Sequence, residues 1–433
     1  MRTSSGYRSA TPSRGAPTLP HRVSVAAGLG FALLAAACHQ DELLPPGVPA
    51  YQGGEMFVRY VSLGNSLTAG FESGGINDST QREAYPVLVA EAMRGDPFYY
   101  PSLTMPGCPP PYANIFTETR VGAGICYLRS PAIPPYLSNV AVPGAGVLDP
   151  LENGPAPGTS SNPLTLLFLG GRTQLGAMMD ARPTFVSVWI GNNDVLGAAM
   201  DPANAGDSTL ITPVAAFQAD YAAIADSINA AGAKAILIGV GNVTAIPFFS
   251  LGATYWGIKN GLVPGAAFPP TFTVSANCAP IASGIPGARG DSVLVPFPYG
   301  GALLTAASPP TNQPENLDCA DTVRAIVVPA ELVKLLTTVA AYNSAISGLA
   351  AANGWAYLDP NPGFDSLRAI PSQVAPFPAF TDAQGNPNPC SANPFGLAFS
   401  CDGVHPSAAT HRLIAKKVVE AINAEYGSAI PVP

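Results

Sequence analysis

The sequence is poor in charge. Asp, Glu, Lys and Arg make up 11% of its 433 residues, and 20 basic residues against 28 acids leave a net charge of −8. No cluster of Lys and Arg occurs, which argues against the phosphate-neutralising surface that a nucleic-acid partner needs. Histidine is scarcer, with four in the chain, and no two cysteines stand in CxxC spacing. Metal centres are assembled from such groups, so no metal and no other cofactor is expected. The apolar run Val23 to Ala37 is fifteen residues, too short to span a bilayer comfortably. What is plentiful is glycine and proline, 44 and 47 residues. Together they are about a fifth of the chain, between ordinary globular usage and low-complexity disorder. An ordered domain with long, turn-rich loops is expected.

The N-terminus reads as an export signal. Residues 1–22 hold Arg2, Arg8, Arg14 and Arg22 and no acid, and the apolar run after them ends in Ala35-Ala36-Ala37-Cys38. Leu34 to Cys38 resembles the lipobox of bacterial lipoproteins, in which the cysteine is lipidated and becomes the first residue. The resemblance implies a signal peptide over 1–37, lipidation of Cys38, and membrane attachment in the bacterial cell envelope, at the outer membrane or periplasmic face. Plain secretion after cleavage near Ala37 is the alternative. Residues 38–54 are polar and Pro-rich, a tether between lipid and domain.

Cysteine usage fits export. Setting Cys38 aside leaves Cys108, Cys126, Cys278, Cys319, Cys390 and Cys401, an even number that reads as disulfides. Six cysteines allow fifteen pairings. The pairs closing the smallest loops are 108–126, 278–319 and 390–401, each in an irregular Pro-rich stretch.

From Phe57 to Leu63 an alternating β-branched and aromatic run predicts a strand, and Gly64 permits a tight exit before a helix. Ser66 sits at that turn. A serine there is either an exposed nucleophile at the strand's C-terminal end or a helix N-cap. Asn139 to Ala145 reads as a short strand ending in Pro143-Gly144, and Gly144 leaves its backbone N–H open to close approach. A helix is expected from Leu164 to Met179. Pro183 to Ile190 is a buried strand that runs into Gly191-Asn192-Asn193-Asp194, where the polar cluster offers either a side-chain amide donor or turn formers and caps. Phe217 to Ala231 has helical spacing, and Ala235 to Val240 is the next buried strand. An insertion at about 245–328 shows no clear period. Its Phe, Pro and Ala residues suit an acyl-binding wall and a core of its own equally. A helix over Pro329 to Asn353, a strand over Trp355 to Leu358 and a last helix after Ser407 resume the β/α alternation, with Asp359 given a structural role. His405 is the one histidine in a loop beside an acid, Asp402. His411 falls on the last helix, where an exposed position is expected.

Strands separated by helices predict an open, mainly parallel α/β sheet, and such sheets bind ligands at the C-terminal strand ends. Ser66, Gly144, Asn193 and the Asp402/His405 loop all fall near that edge. In these blocks the chain resembles the SGNH hydrolases, the GDSL lipase/esterase family. Gly64-Asn65-Ser66-Leu67 stands for the GDSL block, with Asn65 where the family has Asp. Asn139 to Gly144 resembles the glycine block, Gly191 to Asp194 the GxND block, and Asp402-Gly403-Val404-His405-Pro406 the DxxHP block. The resemblance implies a three-layer α/β/α, flavodoxin-like fold with a mainly parallel five-stranded sheet and long loop insertions, in one domain over 55–428. It implies Ser66 as nucleophile, His405 as base and Asp402 as its orienter. Ser66, Gly144 and Asn193 would form the oxyanion hole. The activity implied is carboxylic ester hydrolysis on a small-molecule or lipid ester. A carbohydrate O-acetylesterase on the same scaffold is the alternative, followed by a non-enzymatic surface lipoprotein. Oligomeric state is not legible from these features.

Overall fold

The computed structural model describes residues 54–122, 127–129, 134–152 and 162–433. The signal segment, Cys38, all of the tether but Gly54, and Cys126 lie outside them. In chain order, the elements that position the site are β1 (Tyr60–Gly64), α1 (Ser66–Ala69), α2 (Tyr85–Met93), β2 (Phe185–Trp189), α3 (Asn193–Ala199), α4 (Val214–Ala230), β3 (Lys234–Ile238), α5 (Pro329–Asn353), β4 (Ala356–Leu358), α6 (Asn361–Arg368) and α7 (Ala408–Tyr426).

β1 to β4 form a parallel sheet in that spatial order, with Tyr60 opposite Phe185, Phe185 opposite Lys234, and Ala356 opposite Ile236. The expected fifth strand is present in reduced form. The segment 138–142 lies along the outer edge of β1, where Ser62 N donates to Ser138 O (2.7 Å), Val140 N to Ser62 O (2.9 Å) and Val142 N to Gly64 O (3.1 Å). A single parallel bridge, Ser62 to Asn139, is all the regular ladder it makes. The chain therefore leaves β1 for one edge and then crosses to the other side for β2. That reversal is the switch point of a doubly wound sheet, where ligands bind.

Side chains alternate along each strand, so the sheet has two apolar faces. Tyr60, Phe185, Ile236 and Ile238 pack with Tyr85 and Val89 of α2 and Val418, Val419 and Ile422 of α7. Val61, Leu63, Val186, Val188 and Leu237 pack on the other side, against Phe217 and Tyr221 of α4 and Leu335, Val339 and Tyr342 of α5. Helices on both faces are why these strands read as nearly continuous apolar runs. Each fully buried Val, Leu or Ile contributes about 1.5–3 kcal/mol.

Two expectations change in the loops. The helix expected from Leu164 to Met179 is two, Pro163–Leu169 and Gln174–Ala181, because Gly170 and Gly171 take φ of 62° and 87° between them. The 245–328 insertion builds a core of its own. Phe249–Leu251 pairs with Leu294–Pro296, Phe272–Val274 pairs with Glu315–Leu317, and Tyr255, Phe272, Val295 and Leu317 meet between them. The Cys278–Cys319 disulfide lies in that core, and Cys390–Cys401 is the second bridge with both halves described. Cys108 is also disulfide-bonded.

Gly64 carries the turn into α1. A Cβ there would lie 2.3 Å from Thr68 Oγ1 and 2.6 Å from the Trp189 carbonyl oxygen. The second contact is rigid backbone of β2. Gly64→Ala is therefore expected to cost about 1–3 kcal/mol of stability by overpacking, read as a lower urea midpoint; an unchanged midpoint would contradict this close approach.

Candidate active site

Ser66 is the first residue of α1. Asn65 precedes it as N-cap, its Oδ1 accepting from Leu67 N at 3.1 Å. A carboxylate at 65 would accept the same bond, so Asn for Asp leaves the turn unchanged. Asn139 Nδ2 donates to Thr68 O at 2.8 Å and ties α1 to the edge segment.

The Ser66 hydroxyl lies 2.9 Å from Nε2 of His405, and His405 Nδ1 lies 2.8 Å from Oδ2 of Asp402. The serine and the acid–base loop are 339 residues apart in the chain, and the fold joins them. Gly403, at φ 68°, makes the turn between acid and imidazole, and Phe248 N donates to its carbonyl at 2.9 Å. The Phe71 ring lies 4.9 Å from the imidazole.

Asp402 is buried, and burial alone would push its carboxyl up. The charge and hydrogen bonds of His405 and the backbone N–H groups of His405 and Val404 outweigh this and hold it down to about 2. Its Oδ1 accepts from Val404 N (2.9 Å), His405 N (2.9 Å) and Ser400 Oγ (3.1 Å). Its Oδ2 accepts from Gly74 N (2.7 Å) besides the imidazole. With Asp402 ionised, Nδ1–H is the donor to it, which leaves Nε2 as acceptor for the Ser66 O–H. Glu72 stands close by. Burial, then the charges of Glu83 and Asp402, push its carboxyl up to about 8, so it is mostly neutral at pH 7 and adds little negative charge beside Asp402.

Gly144 is exposed, with φ 83°, a conformation that favours glycine. Asn193, the first residue of α3, donates from Nδ2 to Ala145 O at 2.8 Å, which fixes the amide beside Gly144. Ser66, Asn193 and His405 line one cavity, and Asn193 and Gly144 line an adjoining hollow. Among the described residues, the backbone N–H groups of Ser66 and Gly144 donate no hydrogen bond.

The sequence pattern misses several supports. Asp194 is more than a turn former: its Oδ2 accepts from Val147 N and its Oδ1 from Thr212 Oγ1, both at 2.8 Å, so it clamps the Gly144 loop to α3. Burial pushes its carboxyl up to about 6. Ser73 and Gly74 reach the acid loop, where Ser73 N donates to Ser400 Oγ at 2.9 Å. The adjacent Gly74-Gly75 pair was the available hint. His411 is buried rather than exposed, because the helical period aligns it with Ala415, Val418 and Ile422 on the inward face of α7. Its Nδ1 accepts from Tyr85 N at 3.3 Å, and burial followed by the His405 charge depresses it to about 3. It is a neutral core residue. Asp359 keeps a structural role, its Oδ1 accepting from Asn361 N at 3.0 Å.

Fold and site together define a doubly wound parallel α/β protein with a Ser–His–Asp hydrogen-bond relay at its switch point. No protein-family model matches the chain, and no curated protein matches it. Among solved structures, the chain is similar to an acetylxylan esterase from Geobacillus stearothermophilus at 13% identity, with 88% of this chain and 97% of that chain covered and a TM-score of 0.36. It is also similar to an extracellular lipase from Streptomyces rimosus at 15% identity, with 85% and 99% covered and a TM-score of 0.36. Likeness at this level carries no activity across, and the functional case rests on this chain's own residues.

The depressed Asp402 carboxyl has a signed consequence. A group whose folded value lies below its unfolded one adds stability above the unfolded value, near 3.8, and loses it as pH falls through the folded value, about 2. That increment is roughly 2 kcal/mol. The stability margin of the native chain over Asp402→Asn should therefore shrink as pH falls from about 4 towards 2. A margin that stays constant or grows across that window in urea titrations would contradict the assignment.

Proposed function

We propose that this chain is a carboxylic ester hydrolase of the SGNH (GDSL) type, working through an acyl-enzyme on Ser66. The observation that carries the reading is the unbroken contact from Ser66 Oγ through the His405 ring to the ionised Asp402. A serine alcohol is a weak nucleophile until a neighbouring base takes its proton. Nε2 of His405 accepts that proton as Oγ bonds to the ester carbonyl carbon. The imidazolium so formed is stabilised by Asp402, which holds the ring in place. The carbonyl oxygen becomes an oxyanion facing the N–H groups of Ser66 and Gly144 and the Asn193 amide. Collapse breaks the carbon–oxygen bond to the alcohol, which leaves with the proton from Nε2. Water, deprotonated by the same nitrogen, then attacks the acyl-serine; the bond from the acyl carbon to Oγ breaks, Nε2 returns the proton to Ser66 Oγ, and the acid is released.

The donors suit this task because they are fixed before reaction. Ser66 N–H lies at the start of α1, Gly144 at a turn clamped by Asp194, and the Asn193 amide is held by Ala145 O. The Arg-rich, acid-free N-terminus and Cys38 support export and lipid tethering as part of the same proposal.

Ser66→Ala should abolish turnover of p-nitrophenyl esters. Asn193→Ala should still fold, losing no more than about 1–3 kcal/mol with its bond to Ala145 O, while kcat falls about 10²–10³-fold, the usual cost of one oxyanion donor. Full turnover by the Ser66 variant would end the proposal, and unchanged kcat in the other would remove Asn193 from the hole.

A further inference from the structure

Beside Ser66 and His405 opens a cavity of about 690 Å³, within the usual range for small-molecule sites. It runs over the C-terminal ends of β2, β3 and β4, whose residues Trp189, Ile238 and Leu358 form its floor. Leu413 and Ile414 of α7 close one side, and Val243 and Ile246 another. The roof is α6 and the turn after it.

α6 explains the cavity's character. No residue of this helix is buried. Asp365 and Arg368 are exposed, while Phe364 and Leu367 are half-buried over the hollow and Ile370 continues their line. Phe364 and Leu367 touch the main core with only part of their surface, and a short amphipathic helix whose apolar face is left partly open in this way marks a binding surface rather than a finished core. The roof is held at both ends. Asn361 Oδ1 accepts from Asn242 N at 2.7 Å, and its Nδ2 donates to Val240 O at 3.2 Å. Beyond α6, Leu397 N donates to Ser372 O at 3.0 Å and Ala398 N to Gln373 O at 2.9 Å. The Phe364 ring also packs 5.4 Å from Phe399, in the segment leading to the acid–base loop. The apolar wall is thus registered against the reacting serine.

We infer that this cavity binds the acyl chain of the substrate, so that the chain acts on esters of medium- and long-chain fatty acids rather than on acetyl esters. The inference rests on the ester-hydrolase reading and specifies its substrate class. With the carbonyl carbon at Ser66 Oγ, the methylenes behind it leave water along Phe364 and Leu367. An acetyl group would leave those walls uncovered. The 245–328 insertion, whose apolar residues mostly fill its own core, contributes little beyond Ile246. The residues that read acyl length belong to the segment after β4.

The test is a p-nitrophenyl ester series from acetate through butyrate and octanoate to palmitate, run with the native chain, Ser66→Ala, Leu367→Asp and Asp365→Ala. Each methylene buried in the transition state should raise Ser66-dependent kcat/KM by up to about fourfold, so octanoate should exceed acetate by about a hundredfold or more. Leu367→Asp, which puts a charge at a half-buried site on the cavity wall, should cut the octanoate-to-acetate ratio by at least about tenfold, with retained acetate turnover reporting that the variant is folded. Asp365→Ala, on the solvent side of the same helix, should leave the ratio as it is. A Ser66-dependent rate confined to acetate, or a ratio indifferent to Leu367→Asp, would overturn the acyl cavity and leave ester hydrolysis standing. Absence of any Ser66-dependent rate across the series would overturn both.

Discussion

One buried charge organises this molecule. The Asp402 carboxylate is out of water, and leaving it unpaired there would cost several kcal/mol. It is instead met by Gly74 N, Ser400 Oγ, Val404 N, His405 N and the His405 ring. These donors come from two distant stretches of chain, so satisfying the charge also brings the loop after α1 against the loop before α7. Ser73 and Ser400 reinforce the junction, and the Cys390–Cys401 bridge anchors the acid's neighbour. Glu72, which would oppose the charge, is mostly neutral at pH 7.

The sheet supplies the other half of the arrangement. Because 138–142 and β2 lie on opposite sides of β1, the end of β1 opens into a crevice rather than a filled layer. Ser66 emerges there, Gly144 and Asn193 arrive at the ends of the neighbouring segments, and the cavity extends from Ser66 along the remaining strand ends. The proposed nucleophile, oxyanion donors and acyl site thus share one edge for a topological reason. Asp194 shows how the edge is kept in register, since one carboxylate bridges α3, Val147 and Thr212.

Much of this was legible in the sequence because it is local. Apolar runs of five residues, helical spacing, and glycines at Gly64 and Gly144 are set by short-range sterics and periodicity. The residues that meet in the site could be named from their blocks, but their contact could not, since Ser66 and His405 are 339 residues apart. The short strand read at Asn139 to Ala145 is there as the reduced edge segment 138–142. Two features escaped for physical reasons. His411 is burial decided by helix phase, which a residue's polarity hides. The apolar insertion and the amphipathic α6 divide the work of core and cavity in a way composition alone does not separate.

The measurement that bears most directly on the central claim is covalent labelling with a fluorophosphonate, followed by peptide mass spectrometry. Such a reagent needs an activated serine and a pocket that accepts the phosphonyl oxygen. The account predicts one adduct, on the peptide containing Ser66, formed rapidly in the native chain and lost in His405→Ala. An unlabelled Ser66 peptide in folded protein, or a principal adduct on another serine, would contradict it.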